Sequence, residues 1–395
     1  MANRGLWRAP HLPLFLLASV WAKLVPLIWL APDLVCDPVA WHRQELFSGV
    51  AGAAMGGYLL TALPHWISQS GRGDAVPGHG PLATQLLVLA WGLGRVLGAP
   101  CTSDAWALAG LCLYPIGLAT ALVRPIIAAR AWGRLPTALA PLLLVLIAVR
   151  LRLAADSLTA VLGIALLVAL VGGRILPAFL RARAGGATTR RIRVPVAGRA
   201  ADLTLALALA AHLAGLGPRL AGALMLLAAL EQGLRLVGWP LAKGLRGGQS
   251  DLAVLVVAWL WLPAGLALTG IALRSDAGLP LPTALHALTM GLMGSMVLAV
   301  MARAWMRRVP GALRLGWLPG LAFALVQLAT ILRLAMPGQT AAAALCWSAA
   351  WGLACAAAIA ALIRPVPHPV LSARRAPAPP IAAEDGPAAG IRSSR

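Results

Sequence analysis

The stretch WHRQELFSGVAGAAMGGYLLTALPHW, residues 41–66, combines ionisable side chains with a series of glycines. His42, Glu45, Gly49, Gly52 and Gly56 follow one another at steps of three or four residues, so an α-helix would place them on one face. Imidazole is a potential metal ligand, and the carboxylate is an ionisable neighbour. Close helix packing accounts for the glycines, but it does not account for the ionisable pair, His42 and Glu45, that precedes them. The pattern therefore favours a functional role for His42 and Glu45.

A second histidine lies in LPTALHALTMGLMGSMVLAVMARAW, residues 281–305. Imidazole suits iron, copper or zinc, and the thioethers of Met290, Met293 and Met296 would suit Cu(I). Methionine in an apolar helix usually serves packing, whereas an imidazole there needs a partner. We therefore interpret His286 as a ligand candidate. For His212, in ALALAAHLAGLG, we favour a hydrogen-bonded core histidine and keep it as a candidate cofactor contact.

The elements that carry these residues are membrane helices. Of the 395 residues, 60% are apolar and 11% are charged, against about a quarter charged in soluble domains. Apolar stretches of nearly ~20 residues, each enough to span the hydrocarbon layer as a helix, recur along the chain. The segments lack the short alternating pattern of a membrane barrel. We predict an all-α polytopic membrane protein, and we ascribe the net charge of +21 to topology rather than to nucleic acid.

We predict twelve spans that form one transmembrane domain over residues 1–364, followed by a disordered cytoplasmic tail over residues 365–395 that is rich in Pro, Ala and charge. Tight turns near 153–158 and 217–220 leave open that two of the spans are re-entrant. The first span has no A-x-A-like cleavage site, so we expect an uncleaved helix. The predicted spans are 13–31, 44–64, 84–99, 105–123, 137–153, 158–178, 201–217, 220–238, 252–273, 283–302, 315–335 and 341–363.

The distribution of charge predicts the orientation. With a cytoplasmic N-terminus, most of the 33 Lys and Arg residues fall on the cytoplasmic side, and the opposite loops hold only Arg43, Arg219 and Arg274. This bias follows the positive-inside rule through every span, and a single missed span would invert it. We therefore expect both termini to be cytoplasmic, in a bacterial inner membrane.

This topology gives each histidine a depth. His42, His212 and His286 share one level near the outer face, whereas His11, His65, His79 and His368 belong to the other side. Four arginines also lie toward the outer ends of spans, where they could snorkel or pair with an anionic group such as a haem propionate. These four are Arg95, Arg150, Arg152 and Arg333.

Two further pairings can be examined in the sequence. Glu231 and Arg235 have i,i+4 spacing, and we expect them to satisfy each other. Cys36 and Cys101 fall in outer loops, where a disulfide is permitted, but we expect two free thiols. No CxxC or CxxCH motif occurs, so zinc ribbons, thioredoxin-like sites and c-type haem attachment are unsupported.

Four segments in family order, over roughly residues 11–305, resemble the NnrS family. They are HLPLFLLASVWA, the stretch that begins at Trp41, VGGRILPAFLRA and LHALTMGLMGSMVLAVMARA. The resemblance implies an inner-membrane protein that contains haem and copper, associated with denitrification, nitric oxide and nitrosative stress. It implies that His42 and His286 are ligands, that Glu45 supports a ligand or handles protons, and that Arg174 is the arginine of the GGR motif.

The sequence departs from the family pattern at three places. Gln44 stands where the WHxHE motif has its second histidine, and His65 stands where the family has asparagine. The histidine expected after the TRA motif is missing from ARAWMRRVPG. These departures put at least one metal centre in doubt, and haem, which one or two imidazoles can hold, is favoured over copper.

Two other functions compete with this interpretation. A secondary transporter of a small solute would fit twelve helices with buried charges, although the two halves show no clear repeat. A haem–copper oxidase-type reductase subunit would require adjacent histidines on one helix, and no two histidines are adjacent here. The sequence does not distinguish a catalyst from a sensor or an accessory protein, and it names no protein partner.

Overall fold

The computed structural model describes residues 5–70, 80–184, 194–247, 250–274, 278–309 and 312–363. Within them the protein is almost entirely helical, which confirms the all-α polytopic class. In these described ranges, ten helices are long and apolar enough to cross a membrane, by length and composition. His79, His368 and the tail predicted over residues 365–395 lie outside the described residues.

Each of the twelve predicted spans corresponds to a helix in the described residues. We number these helices α1 to α12 in chain order. They are His11–Leu30, Pro38–Ser68, Pro81–Leu97, Asp104–Ala128, Trp132–Ala154, Ser157–Arg183, Val194–Leu213, Pro218–Val237, Ser250–Arg274, Leu281–Ala302, Trp317–Ala335 and Thr340–Ile363.

The remaining elements are short. One-turn helices occupy Leu6–Arg8, Pro32–Leu34 and Leu241–Gly244. An antiparallel hairpin after α10 pairs β1, Arg307–Val309, with β2, Ala312–Arg314, and Arg308 lies opposite Leu313.

Helices α2 and α10 each change from α-helical to π-helical hydrogen bonding. The π-helical segments are Glu45–Ala51 in α2 and Ala287–Gly294 in α10, and they begin just after His42 and His286. A π-helix bonds residue i to i+5 instead of i+4, so it rotates the positions that follow it. The single face predicted from steps of three and four is therefore not kept through α2.

Local signals fix the helix ends near these histidines. Asp37 caps α2 by accepting a hydrogen bond from the backbone N–H of Ala40 at 2.9 Å, and Pro38 occupies the first turn. Asp156 caps α6 in the same way, by accepting from the backbone N–H of Thr159 at 3.0 Å. Both caps lie at the end of the bundle where α2 begins.

The first and last helices pack together. On α12, the indole N–H of Trp347 donates to the carbonyl of Ala22 on α1 at 2.9 Å, and the Ser348 hydroxyl donates to the carbonyl of Lys23 at 2.8 Å. The neighbouring pairs α3–α4, α7–α8, α8–α9 and α11–α12 pack against each other most extensively. The chain therefore brings α1, α11 and α12 beside α2 and α10.

Three expectations are corrected by the structure. Cys36 and Cys101 form a disulfide, with Cα atoms 6.1 Å apart, instead of two free thiols. Arg235 pairs with Asp202 at 2.8 Å instead of Glu231, because α7 packs against α8 and offers a carboxylate across the interface. The seventh helix spans Val194–Leu213 instead of 201–217.

Candidate functional site

A cavity of about 960 Å³ lies at the end of the bundle where α2 and α10 begin. His42 on α2, His212 on α7 and His286 on α10 all line its wall. In contrast, His11 contacts Thr61 and His65 contacts Gln69, near the opposite end of α2. The structure thus brings together the three histidines that were assigned one depth.

The ring of His286 is held by its own helix. Its Nδ1 lies 2.5 Å from the carbonyl oxygen of Pro282, one turn earlier. A carbonyl can only accept, so Nδ1 carries the proton and Nε2 keeps its lone pair. Metal-binding histidines usually have one nitrogen held in this way, so this environment prepares Nε2 of His286 to bind a ligand.

His42 has an unpartnered ring nitrogen. Its ring packs against Trp29, with the ring centroids 5.2 Å apart. Its Nδ1 is buried and has no hydrogen-bond partner within the described residues. A buried polar atom without a partner costs about 1–3 kcal/mol, and a bound ligand would remove that cost.

A smaller cavity of about 40 Å³ adjoins the first, and His42 and His286 line both. Met290, one turn after His286, lines this smaller space, as does Trp347 of α12. Met293 and Met296 instead line a separate cavity farther along the bundle. Of the three methionines noted in the sequence, only Met290 is therefore placed beside both histidines.

Arg333 and Arg43 are cations on the wall that have no carboxylate partner in the described residues. Arg333 lines both cavities, and it donates to the carbonyl of Pro337 at 2.8 Å. Arg43 also lines the larger cavity, and it donates to the Ser157 hydroxyl at 2.9 Å.

Three further arginines that the sequence placed toward the outer ends of spans pair with carboxylates of the protein, so they are not free for an external anion. The pairs are Arg95 with Glu45, Arg150 with Asp156 and Arg152 with Asp104.

His212 is a hydrogen-bonded histidine, as predicted. Its Nε2 lies 3.0 Å from Oδ1 of Asp156, whose carboxylate Arg150 and Thr159 also bind. Partial burial acts to raise the pKa of Asp156, but hydrogen bonds from Thr159, Arg150 and His212 outweigh it and hold the pKa well below its usual range. Asp156 is therefore a carboxylate at neutral pH, and it orients the His212 ring at the cavity wall.

Glu45 does not line the cavity. It is completely buried between α1, α2 and α3, where it accepts from the indole of Trp21 at 2.6 Å and pairs with Arg95 at 3.1 Å. The step of three residues from His42 turns Glu45 by about 60° around the helix, and its carboxylate contacts α1 and α3 instead of the cavity. Gln44 also points away, and its amide donates to the carbonyl of Gly98 at 2.5 Å. Gln44, which stands where the family pattern has a histidine, therefore does not line the cavity.

The glycines of α2 serve close packing. The Tyr114 hydroxyl of α4 donates to the carbonyl of Gly52 at 3.1 Å, and a Cβ at Gly56 would collide with that hydroxyl. A Cβ at Gly49 would lie 2.6 Å from the indole of Trp21. These contacts support the packing explanation for this part of the motif.

Arg174 is not brought to the histidines. It is exposed on α6. Leu158 of the same helix lines the cavity, and Arg174 lies about 24 Å farther along the axis at the usual rise per residue. The structure therefore gives Arg174 no contact with the cavity wall.

The side chains that line the cavity fit haem better than they fit a metal ion bound by protein ligands alone. No group of three or more His, Cys, Asp or Glu side chains within the described residues could hold a metal ion. Haem needs only one or two axial protein ligands, and Arg333 and Arg43 offer partners for its carboxylates. The cavity also lies within the usual ~300–1,000 Å³ of ligand pockets.

Some wall residues had no signal in the sequence. Trp29 of α1 and Thr340 of α12 line the cavity because distant helices pack together. The sequence shows Arg333 as a charge within a span, but its position beside His42 and His286 depends on the packing of α11.

Comparison with known proteins agrees with the earlier resemblance. The chain matches no curated protein and no solved structure. The family model described as NnrS protein matches residues 5–365. Since this match covers most of the 395 residues, the chain belongs to the NnrS family.

Proposed function

We propose that this protein is a haem-binding inner-membrane protein of nitric oxide metabolism, active in denitrification or the response to nitrosative stress. The haem would occupy the 960 Å³ cavity, with His42 and His286 as candidate ligands. One observation carries the proposal: two imidazoles from helices far apart in the chain line one cavity, and the His286 ring keeps Nε2 available.

Different residues of the chain would bind different parts of the haem. His42 and His286 would hold the iron, and Arg333 and Arg43 would bind the propionates. The His212–Asp156 pair would hold a proton at the cavity wall. A bound haem iron would supply the site that binds nitric oxide.

Copper is the second candidate metal, supported by Met290. Its thioether lines the small cavity together with His42 and His286, and such a set suits Cu(I). The same imidazoles would then serve copper, so this arrangement is an alternative to haem at these residues and not an addition to it.

Two observations support a periplasmic position for the cavity. The cytoplasmic side predicted from charge is opposite to the end where α2 begins. The Cys36–Cys101 disulfide lies at the end where α2 and α4 begin, and structural disulfides persist in the oxidising periplasm.

The test is an absorption spectrum of detergent-purified protein, with iron and copper analysis, before and after nitric oxide is added. We expect a Soret band, iron in the protein, and a shift of the band when nitric oxide binds the reduced form. A colourless, metal-free protein would overturn the proposal and favour a transporter. Copper without a Soret band would favour the Met290 site.

A further inference from the structure

A third cavity, of about 180 Å³, lies between α2, α5, α6, α9 and α10 and is lined almost entirely by apolar atoms. Its wall includes Ala51 and Ala54 of α2, Val168 of α6, and Met293 and Met296 of α10. None of the residues proposed to hold the haem lines it. It is therefore a separate space.

The two cavities are stacked along the same three helices. On each helix, a residue that lines the histidine cavity is followed one turn later, about 5 Å along the axis, by a residue that lines the apolar cavity. The pairs are Phe47 and Ala51 on α2, Val161 and Ile164 on α6, and Thr289 and Met293 on α10. One layer of side chains thus separates the two spaces.

That separating layer coincides with the π-helical segments. On α2, Phe47 and Ala51 both fall within Glu45–Ala51, and on α10, Thr289 and Met293 both fall within Ala287–Gly294. π-Helical turns occur frequently at functional sites. Here the π-helical segments of α2 and α10 carry side chains that line each cavity, and Phe47 lines the histidine cavity.

The apolar lining of the cavity determines which kind of molecule it can bind. Burial of a polar or charged group without a partner is costly, and this wall offers almost no polar atoms. An apolar cavity of about 150 Å³ stays dry and binds xenon or benzene. A small apolar molecule that dissolves in the surrounding bilayer meets both conditions.

We propose that the apolar cavity binds small apolar gas molecules taken up from the bilayer and delivers them to the histidine cavity. The binding step is independent of the proposed function. The delivery step rests on the proposed function, because it requires a haem beside His42 and His286.

Xenon tests the binding step in the purified full-length protein, by ¹²⁹Xe NMR titration. We expect saturable binding that is lost in Ala54→Phe, whose ring would fill the cavity. Val168→Phe is a second filling variant at a half-buried wall position, in case Ala54→Phe does not fold. Ala356→Phe, on an exposed face of α12, is the matched control and should bind xenon like the unaltered protein. Absence of saturable binding, or equal binding in a folded filling variant, would overturn the proposal.

Carbon monoxide tests the delivery step by flash photolysis of the reduced protein. We expect both filling variants to keep their haem content but to bind carbon monoxide severalfold more slowly than Ala356→Phe. Equal rates despite lost xenon binding would overturn delivery. A protein without haem would instead contradict the proposed function, and the xenon result would still decide whether the cavity binds gas.

Discussion

The ring nitrogens of the histidines differ in what they contact. His11, His65 and His212 each bond another side chain, namely Thr61, Gln69 and Asp156. His286 bonds only a backbone carbonyl of its own helix through Nδ1, and Nδ1 of His42 has no partner in the described residues. At the residue scale, His42 and His286 are therefore the two prepared to bind an external group.

Glu45 has a different role from the histidine that precedes it by one turn. With Arg95 it forms a buried ion pair, and Arg95 also packs over the Trp91 ring with 5.3 Å to its centroid. Removing one partner of a buried pair leaves an uncompensated charge, which costs about 3–5 kcal/mol.

We therefore predict that Glu45→Gln lowers the unfolding temperature of the purified protein. The protein that remains folded should keep its cofactor content. The measurement is thermal unfolding followed by size-exclusion chromatography, with cofactor absorbance read on the folded peak. Asp104→Asn is the control, because its carboxylate is largely exposed and its pair with Arg152 should contribute little. Loss of cofactor from well-folded Glu45→Gln would show a direct role for Glu45 at the cavity.

At the scale of the helix, α4 packs directly against the backbone of α2, because the glycines at this contact have no side chain to cover it. The Tyr114 hydroxyl occupies the space where a Cβ of Gly56 would lie and donates to Gly52 one turn earlier. An added methyl group in a packed interface costs about 1–3 kcal/mol when its neighbours cannot move.

Gly56→Ala should therefore lower the unfolding free energy by about that amount, and the loss should shrink when Tyr114→Phe removes the hydroxyl. Thermal unfolding of the single and double variants measures the coupling. Gly92→Ala, where a Cβ would meet open space, is the control. Equal losses from Gly56→Ala with and without the Tyr114 hydroxyl would contradict the packing assignment.

The sequence predicted which histidines lie at one level better than it predicted the partners of individual side chains. Hydropathy and charge bias were enough to place His42, His212 and His286 at one level, because both depend only on position along the chain. The separation of Glu45 from His42 was not predictable, because residue spacing does not show which neighbouring helix each side chain contacts. The partner of Arg235 was missed because Asp202 lies on another helix.

For the whole molecule, the proposal requires that the end with the cavity faces the periplasm. The disulfide joins the loop before α2 to the loop before α4, at the end that holds the cavity. Cys112, Cys346 and Cys355 are free thiols within helices.

We predict that Cys36 and Cys101, in a background without the other three cysteines, resist alkylation in intact spheroplasts. A membrane-impermeant reductant should then make both reactive toward a membrane-impermeant maleimide. Labelling that requires lysis of the cells would place this end in the cytoplasm and contradict the orientation.

The central claim is that His42 and His286, from α2 and α10, hold one cofactor in the cavity they line together. The most direct test compares haem per folded chain, by the pyridine haemochrome assay, in the unaltered protein and in the variants His42→Ala, His286→Ala and His65→Ala. The account predicts a large loss of haem in the first two variants and none in His65→Ala, whose ring bonds Gln69 near the far end of α2. Unchanged haem in both His42→Ala and His286→Ala, in folded protein, would contradict it.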